Sequence, residues 1–279
     1  HSKSLPPAMT RSLLRFFLLA YALSWLIWAP LWLPAFGIDG LPALSWQHAL
    51  GGFGPMLAAL WCSRRYEGTA ALAGLLRSMF SLRPALWLLI AFASPFVLNL
   101  FAALMARQID AAAFDLEGWG VSKEFPQLGF AGFFAYNLLF FGWGEETGWR
   151  GFALPRLQQH LSAGTSSVLL TVFWALWHWP LFFYRPGYTS MDAAGIFGWV
   201  FSLLTGSVLL AWLFNGSRGS VLACAVFHAT VDIAFTSDFT RPEMVQYTGF
   251  LITVWGIITL LVFGWKNLAQ TRRATQLLP

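Results

Sequence analysis

Charge is scarce in this 279-residue chain: Asp, Glu, Lys and Arg make up 10% of it, where a soluble domain carries about 25%. That shortage excludes an ordinary soluble globular protein. Cysteine is nearly absent too. Cys62 and Cys224 both fall inside apolar segments, where they read as small buried hydrophobes, so no disulfide framework is implied. There is no internal repeat and no low-complexity tract. The longest polar stretch, roughly residues 107–127, is too short for a soluble domain and reads as a loop. The sequence pI is near 9.6, yet the basic residues are spread along the chain, which argues against a nucleic-acid partner. Several catalytic signatures are missing: the chain has no His-Glu-x-x-His, Gly-x-Ser-x-Gly or Gly-x-Gly-Asp segment.

What is abundant is apolar. Hydrophobic residues make up 57% of the chain, with 16 Trp and 27 Phe, a composition that suits a lipid-facing surface with aromatic interfacial belts. Each crossing of the hydrocarbon core needs about 20 mostly apolar residues. On that criterion the chain reads as an all-α polytopic membrane protein with about eight transmembrane helices, near 13–36, 44–62, 85–106, 127–148, 165–184, 195–214, 219–237 and 247–265. The second carries Gln47, His48 and a Gly-Gly-Phe-Gly-Pro break, and the seventh carries His228 and Asp232. Both are too polar to face lipid and belong inside the bundle. With both termini cytoplasmic, only Arg107, Lys123, Arg185 and Arg241 of the 17 Lys and Arg fall on exterior segments, as the positive-inside rule requires. Residues 1–8 read as a non-native leader ahead of Met9, and 9–279 as a single integral-membrane domain, placed in a bacterial inner membrane. The first apolar run is long enough to span and lacks a small-residue cleavage site, so it is expected to be retained.

Within this apolar background three segments carry ionisable groups. The first is Glu145-Glu146-Thr147-Gly148-Trp149-Arg150, preceded by an uncharged run from Gly129 to Trp143. A carboxylate at membrane depth costs several kcal/mol unless paired or hydrated, which makes it a functional-site candidate. Adjacent helical residues point about 100° apart, so Glu145 and Glu146 are expected to face different directions. Glu146 and Arg150, at i,i+4, can pair, and Glu145 is left to project into the bundle. Gly142, Gly144, Gly148 and Gly151 permit close helix approach. A plain interfacial helix end would use the same residues, but Arg150 supplies one positive partner for two carboxylates. The second segment places His178 ahead of Trp179-Pro180, where proline kinks the helix and frees a carbonyl near the imidazole. The third puts His228 and Asp232 on one helix face, where Asp can orient the imidazole, hold the imidazolium or bind a metal with it. Each histidine alone could be a hydrogen-bonded packing residue; it is the three segments together that point to a hydrolytic centre. Ser207 or Cys224 as nucleophile is poorly supported, Ser207 because it lacks the second glycine of an exposed elbow.

Glu-Glu-x-x-x-Arg, then aromatic-x-x-x-His, then His-x-x-x-Asn/Asp, in this order on membrane helices, resembles the CPBP intramembrane proteases. That family includes type II CAAX prenyl endopeptidases and bacterial proteins linked to bacteriocin maturation or self-immunity. The resemblance places the motifs on Glu145, Glu146 and Arg150, on Trp174 and His178, and on His228 and Asp232; residues 52–59 look like its early Gly-Pro helix. Two positions depart from the usual pattern. Trp174 stands where Phe is common, a volume change expected to carry little mechanistic weight. Asp232 stands where many members have Asn, and an ionised Asp cannot donate to an oxyanion as an amide can.

The implied activity is an intramembrane endopeptidase acting on a peptide or membrane-protein substrate in the lipid bilayer, cutting near the cytoplasmic side. Two mechanisms fit. Glu145 and His178 can polarise a water while His228 and Asp232 stabilise the oxyanion. Alternatively His178, His228 and a carboxylate, Glu145 or Asp232, hold a divalent metal, zinc above all. Two rivals use the same residue types: a non-catalytic membrane interaction or immunity protein, and a proton-coupled transporter. Clustering of the polar residues and the lack of a repeat argue against transport.

Overall fold

A computed structural model describes residues 6–109 and 118–277; residues 1–5 of the expected leader and much of the expected exterior loop lie outside them. Among the described residues the regular structure is helical. α1 (Pro7–Ile27) is followed by the short α2 (Ala29–Trp32), α3 (Gln47–Gly51) and α4 (Gly54–Cys62), then α5 (Thr69–Phe80) and α6 (Ala85–Ala106). The central run comprises α7 (Gly129–Asn137), α8 (Gly144–Gly148) and α9 (Leu154–His160). Last come α10 (Ala163–Trp177), α11 (Ala193–Gly216), α12 (Val221–Thr236) and α13 (Pro242–Asn267).

Among the described residues five helical segments are long and apolar enough to cross a membrane: Met9–Ile27, Ala85–Ala106, Ala163–Phe183, Ala193–Gly216 and Pro242–Asn267. Their outward faces carry large apolar side chains such as Leu86, Phe197 and Leu261, all exposed, which suits lipid and not water. The protein is an integral membrane protein of all-α architecture. The other three expected spans are built differently. The segment at 44–62 is two short helices meeting at Gly52-Phe53, and the one at 219–237 is the 16-residue α12. The segment at 127–148 does not stop at Gly148. Two π-helical stretches, Leu138–Trp143 and Trp149–Ala153, flank α8 and carry the helical run on to His160.

These three interrupted segments form the inner layer, and small residues let them approach. A Cβ on Gly144 would stand 2.5 Å from the carbonyl oxygen of Gly52, one on Gly142 2.5 Å from that of Ala225, and one on Gly148 2.6 Å from Pro55. The expected glycine seam is therefore a real backbone approach, joining α8 to α4 on one side and α12 on the other. Polar side chains then take up the backbone groups that the irregularities release. Pro95 in α6 cannot donate to the carbonyl four residues back, Ala91, and the Thr230 hydroxyl of α12 lies 3.0 Å from that oxygen. Such replacement is needed in a bundle that excludes water. Asn99 of α6 donates to the Ala234 carbonyl, so α6 and α12 are fixed in register.

Candidate active site

Glu145, Glu146 and Arg150 occupy consecutive turns of the central run, Glu145 and Glu146 lying between the two π-helical stretches and Arg150 within the second of them. Such bulges recur at functional sites because the extra residue per turn re-aims side chains. Glu146 and Arg150 are buried and pair as expected, Arg150 Nη1 to Glu146 Oε1 at 3.1 Å. Arg150 does not hold Glu146 with both prongs, however. Its Nη2 donates to Ser207 Oγ at 3.1 Å, and Ser207 lies 3.2 Å from the Ser167 carbonyl. Ser207 is thus a structural anchor for the guanidinium.

The two carboxylates take different partners, Glu146 the Arg150 guanidinium and Glu145 the Trp174 indole. Both meet His228, whose ring nitrogens present two different edges. Nδ1 bonds Glu146 Oε1 at 2.7 Å, while Nε2 lies 3.9 Å from Glu145 Oε1 and 3.7 Å from Asp232 Oδ2. His228 and Asp232 share one face of α12, as their spacing predicts. Glu146 is fully buried, whereas the Asp232 side chain is 29% exposed, so the cluster opens on the Asp232 side.

His178 is delivered by the end of α10. The helix tightens there: His178 N–H turns to the Ala175 carbonyl, and Trp179–Phe183 continue as a 3₁₀ segment containing Pro180. The Trp174 carbonyl, left without its usual helical donor, accepts His178 Nδ1–H at 2.7 Å. A carbonyl near the imidazole is thus free, but it is released by the tightened turn at His178 and not by Pro180 itself, and the imidazole captures it. That bond leaves Nε2 as the outward nitrogen. Trp25 of α1 donates to the Trp177 carbonyl at 3.0 Å and secures the same turn. Tyr188 stacks near the His178 ring at 6.1 Å and Trp199 meets it edge-on at 5.6 Å; neither position carried a signal in the sequence.

The most consequential residue that sequence reasoning undervalued is Trp174. Its indole Nε1–H donates to Glu145 Oε2 at 2.7 Å, something a phenylalanine cannot do. Its ring lies 5.8 Å from both His178 and His228, and the Arg150 guanidinium sits 4.7 Å above it, a cation–π distance. The Phe-to-Trp departure therefore adds a hydrogen bond to a carboxylate of the cluster. Trp174→Phe keeps the aromatic face and removes only the donor. A charge-assisted hydrogen bond contributes roughly 1.5–3 kcal/mol, so the variant should lower turnover about tenfold to a hundredfold with thermal stability little changed. An unaltered turnover would mean that other contacts orient Glu145.

Among the described residues no three His, Cys, Asp or Glu side chains are gathered so as to hold a metal ion. Nδ1 of each histidine is engaged, by Trp174 and by Glu146, and Glu145 Oε2 by Trp174, which leaves Nε2 of both rings and Oε1 of Glu145 for a reacting group.

Eleven residues separate Glu145 from Arg156, roughly 15 Å of helix. Arg156 lies with Arg11, Arg15 and Arg77 around one cavity. The carboxylate pair is therefore in the middle of its helical run, well removed from that arginine-rich face.

Two comparisons with known proteins bear on this geometry. Residues 127–234 match the family model described as type II CAAX prenyl endopeptidase Rce1-like, a stretch containing all three motifs. The chain is also 48% identical over 44 residues to a protein named CAAX prenyl protease 2 from Methanococcus maripaludis. That alignment covers 16% of this chain and 16% of the relative's length. Over residues 127–234 the chain is thus similar to type II CAAX prenyl endopeptidases, in the stretch that carries the three motifs.

Proposed function

We propose that the protein is an intramembrane endopeptidase of the CAAX-protease type that hydrolyses a peptide bond through a side-chain-activated water. The observation that carries this reading is the pairing of Glu145 with His228. One Glu145 oxygen is held by Trp174, and the other stands 3.9 Å from His228 Nε2. Two polar atoms at that separation can both reach a single oxygen atom at about 2.8 Å, the distance of an ordinary hydrogen bond. In this scheme Oε1 of Glu145 takes a proton from water as the water attacks the carbonyl carbon. His178 Nε2 accepts the water's second hydrogen as a hydrogen bond and sets its direction. His228, as the imidazolium, donates from Nε2 to the tetrahedral oxyanion and from Nδ1 to Glu146. Glu145 then returns its proton to the departing amine as the C–N bond breaks. Asp232 does not replace the amide donor of an Asn. It holds the His228 imidazolium from the open side of the cluster. Glu146 and Arg150 orient His228 from behind.

The relative's name points to prenylated substrates carrying a C-terminal motif, and a membrane-associated C-terminal or leader peptide is the substrate class proposed here. A prenylated peptide and its unprenylated counterpart, added to the reconstituted protein, test both activity and class by mass spectrometry of the products. We expect cleavage that persists in the presence of a strong chelator and is lost in His178→Ala. Failure to cleave either peptide would favour the non-catalytic rival. Loss on chelation with recovery on added zinc would move His178 and His228 to the metal-ligand reading.

A further inference from the structure

On the face where Arg11, Arg15 and Arg77 gather there is a cavity of about 1040 Å³, a volume at the upper end for small-molecule sites. It is bounded by α1, α5 and α9, by the π-helical stretch Ser63–Glu67, and by residues 275–277. We propose that it is a binding site for a phosphate-bearing anion, either the headgroup of an anionic phospholipid or a soluble phosphate. This inference stands apart from the proteolytic reading.

The electrostatics point that way. Four guanidinium groups face the cavity, from Arg11, Arg15, Arg77 and Arg156, and one carboxylate, Glu67. Glu67 is already taken, because it pairs with Arg156. Among the described residues Arg11 and Arg77 have no carboxylate partner, and Arg15 lies over the Tyr66 ring at 5.0 Å. Arginine forks match phosphate oxygens in geometry as well as charge. Ser12 on the same wall has a buried hydroxyl without a hydrogen-bond partner, a donor available to a bound anion.

Arginines on one face of a membrane protein attract anionic lipid diffusely in any case. What distinguishes this group is a built concavity. The wall contributed by α5 is lined with Ala70, Ala71 and Gly74, which leaves room where larger side chains would fill it. The opposite rim is fixed by a buried amide pair: Gln158 and Asn215 exchange hydrogen bonds at 2.8 and 2.9 Å. Asn215 Oδ1 then accepts Ala274 N–H, and Gln158 donates to the Ala274 carbonyl. Arg273 donates to the Gln158 carbonyl. The segment that closes the cavity is therefore held at several points.

Gly74 supplies the decisive test, since a Cβ there meets nothing within 4 Å. Gly74→Leu projects an aliphatic side chain from the wall into the cavity beside the arginines, changes none of them and improves the helix propensity of α5. The full chain is placed in nanodiscs of phosphatidylcholine, alone or with phosphatidylglycerol, and separately in detergent with inorganic phosphate. Retained lipid is read by native mass spectrometry and stability by thermal unfolding. We expect phosphatidylglycerol or phosphate to raise the unfolding temperature of the wild type and of Arg64→Gln, a charge control outside the cavity. We expect affinity to fall about tenfold or more in Arg15→Gln/Arg77→Gln and in Gly74→Leu. Protection by phosphate alone identifies a soluble anion, and protection only by phosphatidylglycerol identifies a lipid headgroup. The proposal is overturned if neither anion protects the wild type, if Gly74→Leu responds like the wild type, or if Arg64→Gln loses as much as the cavity variant.

Discussion

Glu145→Gln is expected to lower cleavage about a thousandfold, within the range usual for loss of a general acid–base group, while the protein stays folded. The substitution preserves shape and keeps an oxygen able to accept the Trp174 indole N–H, so the 2.7 Å bond that positions the side chain survives. What disappears is the proton acceptor at Oε1, the oxygen facing His228. Turnover should therefore fall with little change in KM, because the lost interaction belongs to the chemical step and not to substrate binding. The measurement is turnover of the reconstituted variant beside its thermal unfolding profile. Turnover at the wild-type level with the same unfolding temperature would remove Glu145 from the proton-transfer role. It would return attention to Asp232, the other carboxylate near His228 Nε2.

The second large effect is on folding. Glu146→Ala should destabilise the protein by about 3–5 kcal/mol, the cost typical of leaving one member of a buried ion pair unmatched. Arg150 is 1% exposed and would keep only its contacts to Ser207 and to the Trp174 ring. His228 would lose its Nδ1 partner at the same time. Removing both charges, in Glu146→Ala/Arg150→Met, should recover part of the lost stability, because no uncompensated charge then remains in the bundle. Thermal unfolding of the two variants decides the matter. A single variant as stable as the wild type would show that the pair is hydrated and does not hold the bundle together.

The contrast between these variants separates two roles that adjacent residues play. Glu145 is held by a neutral donor and keeps one oxygen free, whereas Glu146 is bound to both a cation and an imidazole. Their order along the helix gives no hint of that division. It comes from α10 on one side, which brings the Trp174 indole, and from α12 on the other, which brings His228.

Much of this is legible in the residues alone. Scarcity of charge excludes a soluble protein, because a chain with so few charged residues cannot cover itself for water. The membrane class follows from that fact. The six candidate residues can be picked out because ionisable groups in apolar segments are costly and hence rare. Their i,i+4 spacings, Glu146 to Arg150 and His228 to Asp232, hold in three dimensions because helix periodicity is local. The polar segments 44–62 and 219–237 are expected inside the bundle for the same energetic reason; α12 is found there, whereas α4 buries one face and leaves Leu57 and Trp61 exposed.

Other properties belong to the packing. Length alone reads Gly148 as the end of a span. Packing against α4 and α12 at Gly144 and Gly142 instead carries the run through two π-helical stretches to His160, which moves the carboxylate pair to its middle. The indole N–H of Trp174 looks like excess volume until a carboxylate from another helix stands 2.7 Å away. Whether residue types make a metal site depends on convergence, and among the described residues no three His, Cys, Asp or Glu side chains are gathered to hold an ion. Residue chemistry thus sets the solvent this protein lives in and marks which residues are too costly to be idle. Which atom of each faces the others depends on side-chain hydrogen bonds between separate helices, which no local pattern encodes.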